Sequence, residues 1–114
     1  MTLAHRGTAL FGAVAACCIL AAPVGAAELS DADREAGRVL FSSDTTPACA
    51  LCHTLKDAAA EGAIGPSLDA LKPDATRVAT VLRTGLGVMP SYEALSDEQI
   101  ALLSRYVAGV AAGQ

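Results

Sequence analysis

Two cysteines followed by a histidine, in the run Cys49-Ala50-Leu51-Cys52-His53, constrain this chain more than any other feature. The spacing is typical of sites at which two thiols add to the vinyl groups of a haem and the adjacent imidazole ligates its iron. Because such thioether bonds are permanent, the fold need not hold the cofactor by affinity alone. We therefore predict one covalently attached haem c, bound through Cys49 and Cys52, with His53 as an iron ligand.

The supply of further ligands limits what can bind the other side of the iron. The chain has two histidines and two methionines, of which His5 lies near the N-terminus and Met1 is the initiator. If the iron takes two protein side chains, they are therefore His53 and Met89, the methionine in a glycine-flanked loop over residues 85–90. A His/Met pair is typical of electron-transfer cytochromes c, where the thioether favours the reduced iron and raises its potential.

Three other kinds of site can use a Cys-x-x-Cys pair. A thiol–disulfide enzyme requires a βαβ surround that lowers the thiol pKa, whereas the segments on both sides of the motif have helical patterns and no strand pattern. A structural zinc site requires four ligands, and residues 28–114 hold only three Cys or His residues. A plain disulfide between Cys49 and Cys52 would leave His53 and Met89 without a role.

The N-terminal residues 1–27 have the pattern of a secretory signal peptide. A weakly basic start at His5 and Arg6 precedes an apolar run over residues 9–22, and small residues at 24–27 suit cleavage after Ala26 or Ala27. No later segment is long and uncharged enough to span a bilayer. We expect residues 28–114 to be a soluble, periplasmic domain.

An alternative is cleavage before Cys17 and attachment of a lipid to that cysteine, because Val14-Ala15-Ala16-Cys17 resembles a bacterial lipoprotein cleavage site. Against a lipid anchor, the apolar run continues beyond Cys17, where a lipidated product would normally have a polar spacer. We favour a cysteine within the signal core and keep the anchor as the alternative.

The charge balance of residues 28–114 limits the class of partner. The whole chain has eight basic and twelve acidic side chains, and one of the basic residues, Arg6, lies in the signal segment. Residues 28–114 therefore have seven basic and twelve acidic side chains, a formal net charge of −5. Nucleic acid is not expected as a partner, since no basic patch is present to neutralise phosphates. A redox partner is expected to dock through a basic or largely apolar surface.

Aromatic residues are scarce in this range, which has no Trp, two Tyr and Phe41 as its single Phe. A domain of this size buries little apolar surface, and aromatic side chains usually contribute much of it. We infer that a haem fills part of the core.

Helical periodicity predicts an all-α domain of three to five short helices. Capping boxes are indicated at Ser30 with Asp33 and at Ser96 with Gln99. A middle helix is expected from 73 or 74 to 84, after a turn-rich loop over 62–68. The predicted inward faces are Ala36, Gly37, Leu40 and Phe41, then Ala75, Val78, Val81 and Leu82, then Ile100, Leu103, Tyr106, Val107 and Val110.

Over residues 30–110 these features resemble a small bacterial class I cytochrome c. The resemblance implies the class I fold around one haem and a crossing of the first and last helices at Gly37 and Tyr106. It also implies a hydrogen bond from the His53 ring to the Pro66 carbonyl, which makes Pro66 a cofactor-binding residue. The markers that carry it are Gly37 with Phe41, Cys49-x-x-Cys52-His53, Gly65-Pro66, Met89-Pro90, and Leu95-Ser96 before a helix with Tyr106.

Other parts of the sequence give weaker indications of the subfamily and of the haem contacts. Residues 51–90 are also similar to cytochromes found beside periplasmic dehydrogenases, including sulfite dehydrogenases. Tyr92 is expected to be a core aromatic near the methionine loop, with contact to a haem propionate as the less favoured alternative. Four cationic residues are candidates for contact with the haem propionates, with none preferred, namely Lys56, Lys72, Arg77 and Arg83.

The resulting hypothesis is a periplasmic one-electron carrier that is not an enzyme. It would be a monomer that accepts electrons from a dehydrogenase or respiratory donor in transient complexes and passes them to a cytochrome or oxidase. One alternative is the haem subunit of a stable periplasmic dehydrogenase complex. A peroxidatic or gas-binding haem protein is less favoured, because Met89 would block the iron and no second histidine could assist.

Overall fold

The computed structural model describes residues 28–114, so the predicted signal peptide and Cys17 lie outside the described residues. Four α-helices were found within this range, in agreement with the predicted number. Their bounds are Asp31–Ser42 (α1), Leu68–Leu71 (α2), Ala75–Thr84 (α3) and Asp97–Ala112 (α4), with strands Thr54–Leu55 (β1) and Ala60–Glu61 (β2) and 3₁₀ turns at Cys49–Leu51 and Lys56–Ala58.

Helices α1 and α4 cross where Gly37 faces Tyr106. A Cβ at residue 37 would overlap the Cβ and Cγ atoms of Tyr106, so only glycine allows this approach of the two helices. The ring of Phe41 meets that of Tyr106 edge to face, with centroids 6.4 Å apart. The predicted crossing is confirmed, and the cost of a glycine inside α1 is offset by close packing.

Helix α4 forms as its sequence predicts. The Ser96 hydroxyl accepts a hydrogen bond from the Gln99 amide at 3.2 Å, and the Gln99 side chain accepts one from the Ser96 amide at 2.9 Å. This capping box satisfies two of the amides that a helix start leaves free. All five residues of the predicted inward stripe are buried, namely Ile100, Leu103, Tyr106, Val107 and Val110.

The predictions for the buried face of α1 and for the segment after the haem motif were wrong in part. Ala36 is exposed, so the buried face of α1 consists of Gly37, Leu40 and Phe41. The segment after the haem motif contains a small antiparallel ribbon, in which Thr54 pairs with Glu61 and Leu55 with Ala60. Strands of two residues are too short to give an alternating pattern, although the ribbon buries Leu55 completely.

Helix α3 begins after Asp74, whose carboxylate accepts a hydrogen bond from the Arg77 amide at 2.7 Å. It ends at Thr84 and is followed by Gly85, whose φ is +69°. Leu82 is buried, whereas Ala75, Val78 and Val81 are half-buried. The predicted end at Thr84 is confirmed, whereas the helix begins at Ala75, one or two residues after the predicted start. Most of the expected inward face is only partly covered by protein.

Asp57 connects three parts of the chain. Its carboxylate accepts hydrogen bonds from Arg34 of α1, with Nε at 2.8 Å, and from the hydroxyl of Tyr106 in α4, also at 2.8 Å. Burial opposes ionisation, but the hydrogen bonds from Arg34 and Tyr106 and the charge of Arg34 outweigh it and lower the pKa of Asp57. The ionised carboxylate thus holds the 3₁₀ turn after β1 against the helix crossing.

Replacing Asp57 with Asn should lower the free energy of unfolding at pH 7, with an effect that shrinks below about pH 4. Because the folded pKa of Asp57 lies below its ordinary value of about 3.9, its stabilising contribution is complete above that value. The contribution is lost as the pH falls through the folded pKa. Urea unfolding of the haem-loaded proteins between pH 3 and pH 7 measures this dependence.

Two further variants complete the Asp57 experiment. Tyr106→Phe removes one donor and should cost about 1.5 kcal/mol at pH 7, as expected for a hydrogen bond to a charged group. Glu93→Gln, at an exposed carboxylate with no ion pair in residues 28–114, should change little. An Asp57→Asn effect that is equal at pH 3 and pH 7 would contradict a role for the ionised carboxylate.

Candidate functional site

A cavity of about 430 Å³ lies between the cysteine motif, α3 and the loop that precedes α4. All five predicted cofactor-binding residues line it, although Pro66 and Met89 lie 13 and 36 positions beyond His53 along the chain. The cavity brings together Cys49, Cys52, His53, Pro66 and Met89.

The backbone around the motif fixes the position of His53. The Cys49–Leu51 turn closes with a hydrogen bond of 2.9 Å from the His53 amide to the Cys49 carbonyl. The amide of Gly65 donates to the Cys52 carbonyl at 2.7 Å, which brings the Gly65-Pro66 segment against the motif.

The His53 ring is held by Gly65 and Pro66. Its Nδ1 donates a hydrogen bond to the Pro66 carbonyl oxygen at 2.8 Å, which confirms the contact that the family resemblance implied. A Cβ at residue 65 would lie 2.5 Å from Cε1 of His53, so a larger residue would displace the ring. With Nδ1 carrying the proton, Nε2 has its lone pair free to bind a metal.

The two thiols are free, with Cys49 buried and Cys52 half-buried. Burial raises the pKa of the Cys49 thiol, although a contact of 3.5 Å with the Thr45 hydroxyl acts in the opposite direction. Thiol–disulfide enzymes require a lowered thiol pKa, and the motif is followed by an antiparallel ribbon instead of a βαβ unit. The thiol–disulfide alternative is therefore not supported.

Met89 is presented by a tight turn. The amide of Met89 donates to the Leu86 carbonyl and the amide of Leu86 to the Met89 carbonyl, each at 3.0 Å. Gly87 has φ of +58° inside this turn, which glycine adopts without strain. A Cβ at residue 85 would lie 2.8 Å from the Met89 carbonyl oxygen, so Gly85 is also required here. The turn places Met89, half-buried, on the cavity wall.

Tyr92 is the core aromatic expected near the methionine loop. Its hydroxyl donates to the Pro47 carbonyl at 2.9 Å, and its amide donates to the Leu82 carbonyl at 2.8 Å. Burial and the adjacent Cys49 thiol raise the pKa of Tyr92 to about 12. Tyr92 thus stays neutral and ties the methionine loop both to α3 and to the segment before the motif.

Val78 and Val81 were expected to be core residues, and they instead form part of the cavity wall together with Arg77. Helical periodicity places these side chains on one face of α3 but cannot distinguish packing against protein from packing against a cofactor. Their partial exposure in the folded chain is the additional signal.

The cavity fits a covalently attached haem. Its volume lies within the range of about 300–1,000 Å³ that is usual for cofactor sites, and most of its lining is apolar. The donor set consists of two thiols, one imidazole and one thioether, which are the groups that attach and ligate haem c. Residues 28–114 contain no group of three or more His, Cys, Asp or Glu residues placed to bind a metal ion.

A small helical domain with a Cys-x-x-Cys-His motif and one methionine around an apolar cavity defines a c-type cytochrome. Residues 32–107 match the family model described as cytochrome c oxidase, cbb3-type, subunit III, and the chain belongs to this family. The chain is also similar to the crystal structure of the c-type cytochrome SorU from Sinorhizobium meliloti. The two share 49% sequence identity with a TM-score of 0.69, over 72% of this chain and 94% of the other. No curated protein gives a significant match.

The chain is therefore a small monohaem class I cytochrome c, an electron carrier and not an enzyme, with covalently bound haem c. The predicted fold class and cofactor are confirmed by these similarities. As for membrane association, none of the helices within residues 28–114 has the length and apolar composition needed to cross a bilayer.

Proposed function

We propose that this cytochrome is a periplasmic one-electron carrier whose haem is bound through Cys49 and Cys52 and ligated by His53 and Met89. The observation that supports this assignment most strongly is that all four donor side chains line one cavity. Among residues 28–114, His53 is the single histidine and Met89 the single methionine, so no other pair of these ligand types is available.

Each residue has a separate task in this proposal. The bound haem supplies an iron that gains and loses one electron. Pro66 orients the His53 ring through the hydrogen bond to Nδ1, and the glycine-containing turn holds Met89 on the cavity wall. A ligand pair that stays in place in both oxidation states keeps the reorganisation energy small and electron transfer fast.

The compartment and the partners follow from the sequence patterns. Residues 1–27 would direct export to the periplasm, with a lipid anchor at Cys17 as the less favoured alternative. We propose a periplasmic dehydrogenase as the electron donor and a cytochrome or oxidase as the acceptor. The similarity of residues 51–90 to cytochromes found beside sulfite dehydrogenases favours a sulfite dehydrogenase within that donor class.

Electron transfer would take place at the mouth of the cavity. The apolar rim consists of Ile64, Leu71, Leu86 and Val88, which line the cavity and are exposed, with Val88 at 91%. Exposed apolar patches of this kind are typical of interaction sites. A small apolar contact suits transient redox complexes, which need rapid dissociation.

Reduction of the oxidised protein by a purified sulfite dehydrogenase, with sulfite as substrate, tests the donor assignment. Stopped-flow visible spectroscopy should show rapid and complete reduction of the haem. Separate elution of the two proteins in size-exclusion chromatography would agree with a transient complex, whereas stable co-elution would favour the subunit alternative. Absence of reduction would refute this donor.

The variant Val88→Asp tests the apolar rim in the same assay. The new carboxylate would lose its water at the interface without gaining a partner. The binding free energy of the complex with the dehydrogenase should weaken by about 1.4 kcal/mol or more, which is about a tenfold increase in the dissociation constant. Because Val88 is exposed, stability should change by only about 0.5 kcal/mol or less. Val39→Asp, on the exposed surface of α1 outside the cavity, is the matched control, and its haem should be reduced at the wild-type rate. Equal rates for the two variants would contradict docking at the rim.

A further inference from the structure

Arg77 is distinguished by its place on the cavity wall. In the described part of the chain it is the one Asp, Glu, Lys or Arg residue that lines the haem cavity. It belongs to the same face of α3 as Val78 and Val81, which also line the cavity. The residue itself is exposed, which places it where the wall meets solvent.

Arg77 also differs from the other arginines of the described range because its side chain forms no ion pair there. No carboxylate lies within 4 Å of its guanidinium in residues 28–114, although this range has twelve acidic side chains. Asp74 accepts from its backbone amide and not from its side chain. Every other arginine of the described range has a partner, in the pairs Arg34 with Asp57, Arg38 with Glu35, Arg83 with Asp97, and Arg105 with Asp33.

The chemistry of haem explains an unpaired arginine at this place. A haem has an apolar body and two propionate carboxylates, and a carboxylate at the edge of an apolar cavity is stabilised by a charge-assisted hydrogen bond from a nearby cation. A guanidinium matches a carboxylate with two parallel N–H···O bonds, which a lysine cannot do. We infer that Arg77 binds a propionate carboxylate of the haem. This inference rests on the haem site proposed above.

The structure separates Arg77 from the other three candidate cations. Lys56, Lys72 and Arg83 do not line the cavity, and Arg83 is already paired with Asp97 at 2.7 Å. Lys72 is the most useful comparison, because it is exposed, has no carboxylate within 4 Å in the described range and lies just before α3.

An ion pair between Arg77 and a propionate should change the reduction potential of the iron. The guanidinium neutralises the propionate, whose negative charge would otherwise favour the oxidised iron and lower the reduction potential. It also keeps the propionate ionised at acidic pH. Without Arg77 the propionate should take up a proton as the pH falls, so that the potential rises toward low pH.

Other titratable groups near Arg77 do not produce this signal in the bound protein. Cys49, Cys52 and His53 are bonded to the haem or its iron under the proposed function, and burial raises the pKa of Tyr92 above its ordinary value, which already lies above this pH range. Asp74 at the start of α3 is present in the wild type and in each variant, so a comparison between them cancels its contribution.

Potentiometric titration of the purified, haem-loaded protein from pH 4 to pH 8 tests the inference. Arg77→Gln should lower the potential at neutral pH and make it rise toward low pH, while Arg77→Lys should retain part of the wild-type value. Lys72→Gln also removes one cation and should match the wild type. A crystal structure of the haem-loaded wild type should show the Arg77 guanidinium in contact with a propionate.

An Arg77→Gln protein with the potential and the pH profile of Lys72→Gln would overturn the assignment of Arg77. A crystal structure with the guanidinium away from both propionates would do the same. Failure of the proposed function has a different signature, since it would remove the reversible one-electron couple from the wild type as well.

Discussion

The Met89→Ala protein should have a lower reduction potential than the wild type and should bind carbon monoxide promptly in its reduced form at neutral pH. The thioether favours reduced iron, and in residues 28–114 no second methionine or histidine can replace it. Axial ligands span about 0.8 V of haem potential, so a decrease of at least about 0.1 V is expected. Potentiometry and the visible spectrum measure both effects.

Two neighbouring variants separate ligation from packing. Met89→Leu keeps an apolar side chain of similar size on the cavity wall and should behave as Met89→Ala does. Val88→Ala changes an exposed residue of the same turn and should leave the spectrum unchanged. A Met89→Ala protein with the visible spectrum of the wild type would remove Met89 from the iron.

Replacement of both Cys49 and Cys52 with alanine should prevent haem attachment and leave the chain largely unfolded. The haem cavity lies at the centre of the core, since its wall includes the buried side chains Phe41, Leu82, Tyr92, Leu103 and Val107. A chain of this size has little other apolar surface to bury. Haem staining of denatured protein and far-ultraviolet circular dichroism measure the two effects.

The single variant Cys52→Ala is the control for the double replacement. It retains one thioether bond through Cys49 and should keep both haem and helical content. A double variant with wild-type helical content and cooperative unfolding would show that the haem contributes less to the core than we infer.

Much of the fold was predictable because it depends on local sequence. The capping box at Ser96 and Gln99 and the inward stripe of α4 use contacts between residues a few positions apart. The crossing of α1 and α4 at Gly37 and Tyr106 came from the family resemblance, and the overlap of a Cβ with Tyr106 gives its physical reason.

Other elements leave no periodic pattern in the sequence. Helix α2 has four residues and each strand of the ribbon has two, so both depend on tertiary contacts for their existence. Ala36 was assigned to the buried face of α1, but an alanine at the edge of a helical stripe can face either way, and here it is exposed.

In the candidate site, some residues could likewise be predicted from the sequence, whereas others could be identified only in the folded chain. Cys49, Cys52 and His53 are adjacent in sequence, and Met89 could be selected by counting ligands. Arg77 could not be separated from the other candidate cations in this way. Its assignment needed the cavity wall and the ion pairs of the remaining arginines, which only the folded chain contains.

The intact mass of the exported protein, measured under denaturing conditions, tests the covalent haem site most directly. We expect a polypeptide that begins near residue 28 and carries the added mass of one haem, bound through Cys49 and Cys52. The bare polypeptide mass, with both sulfurs free or joined in a disulfide, would contradict the proposed site.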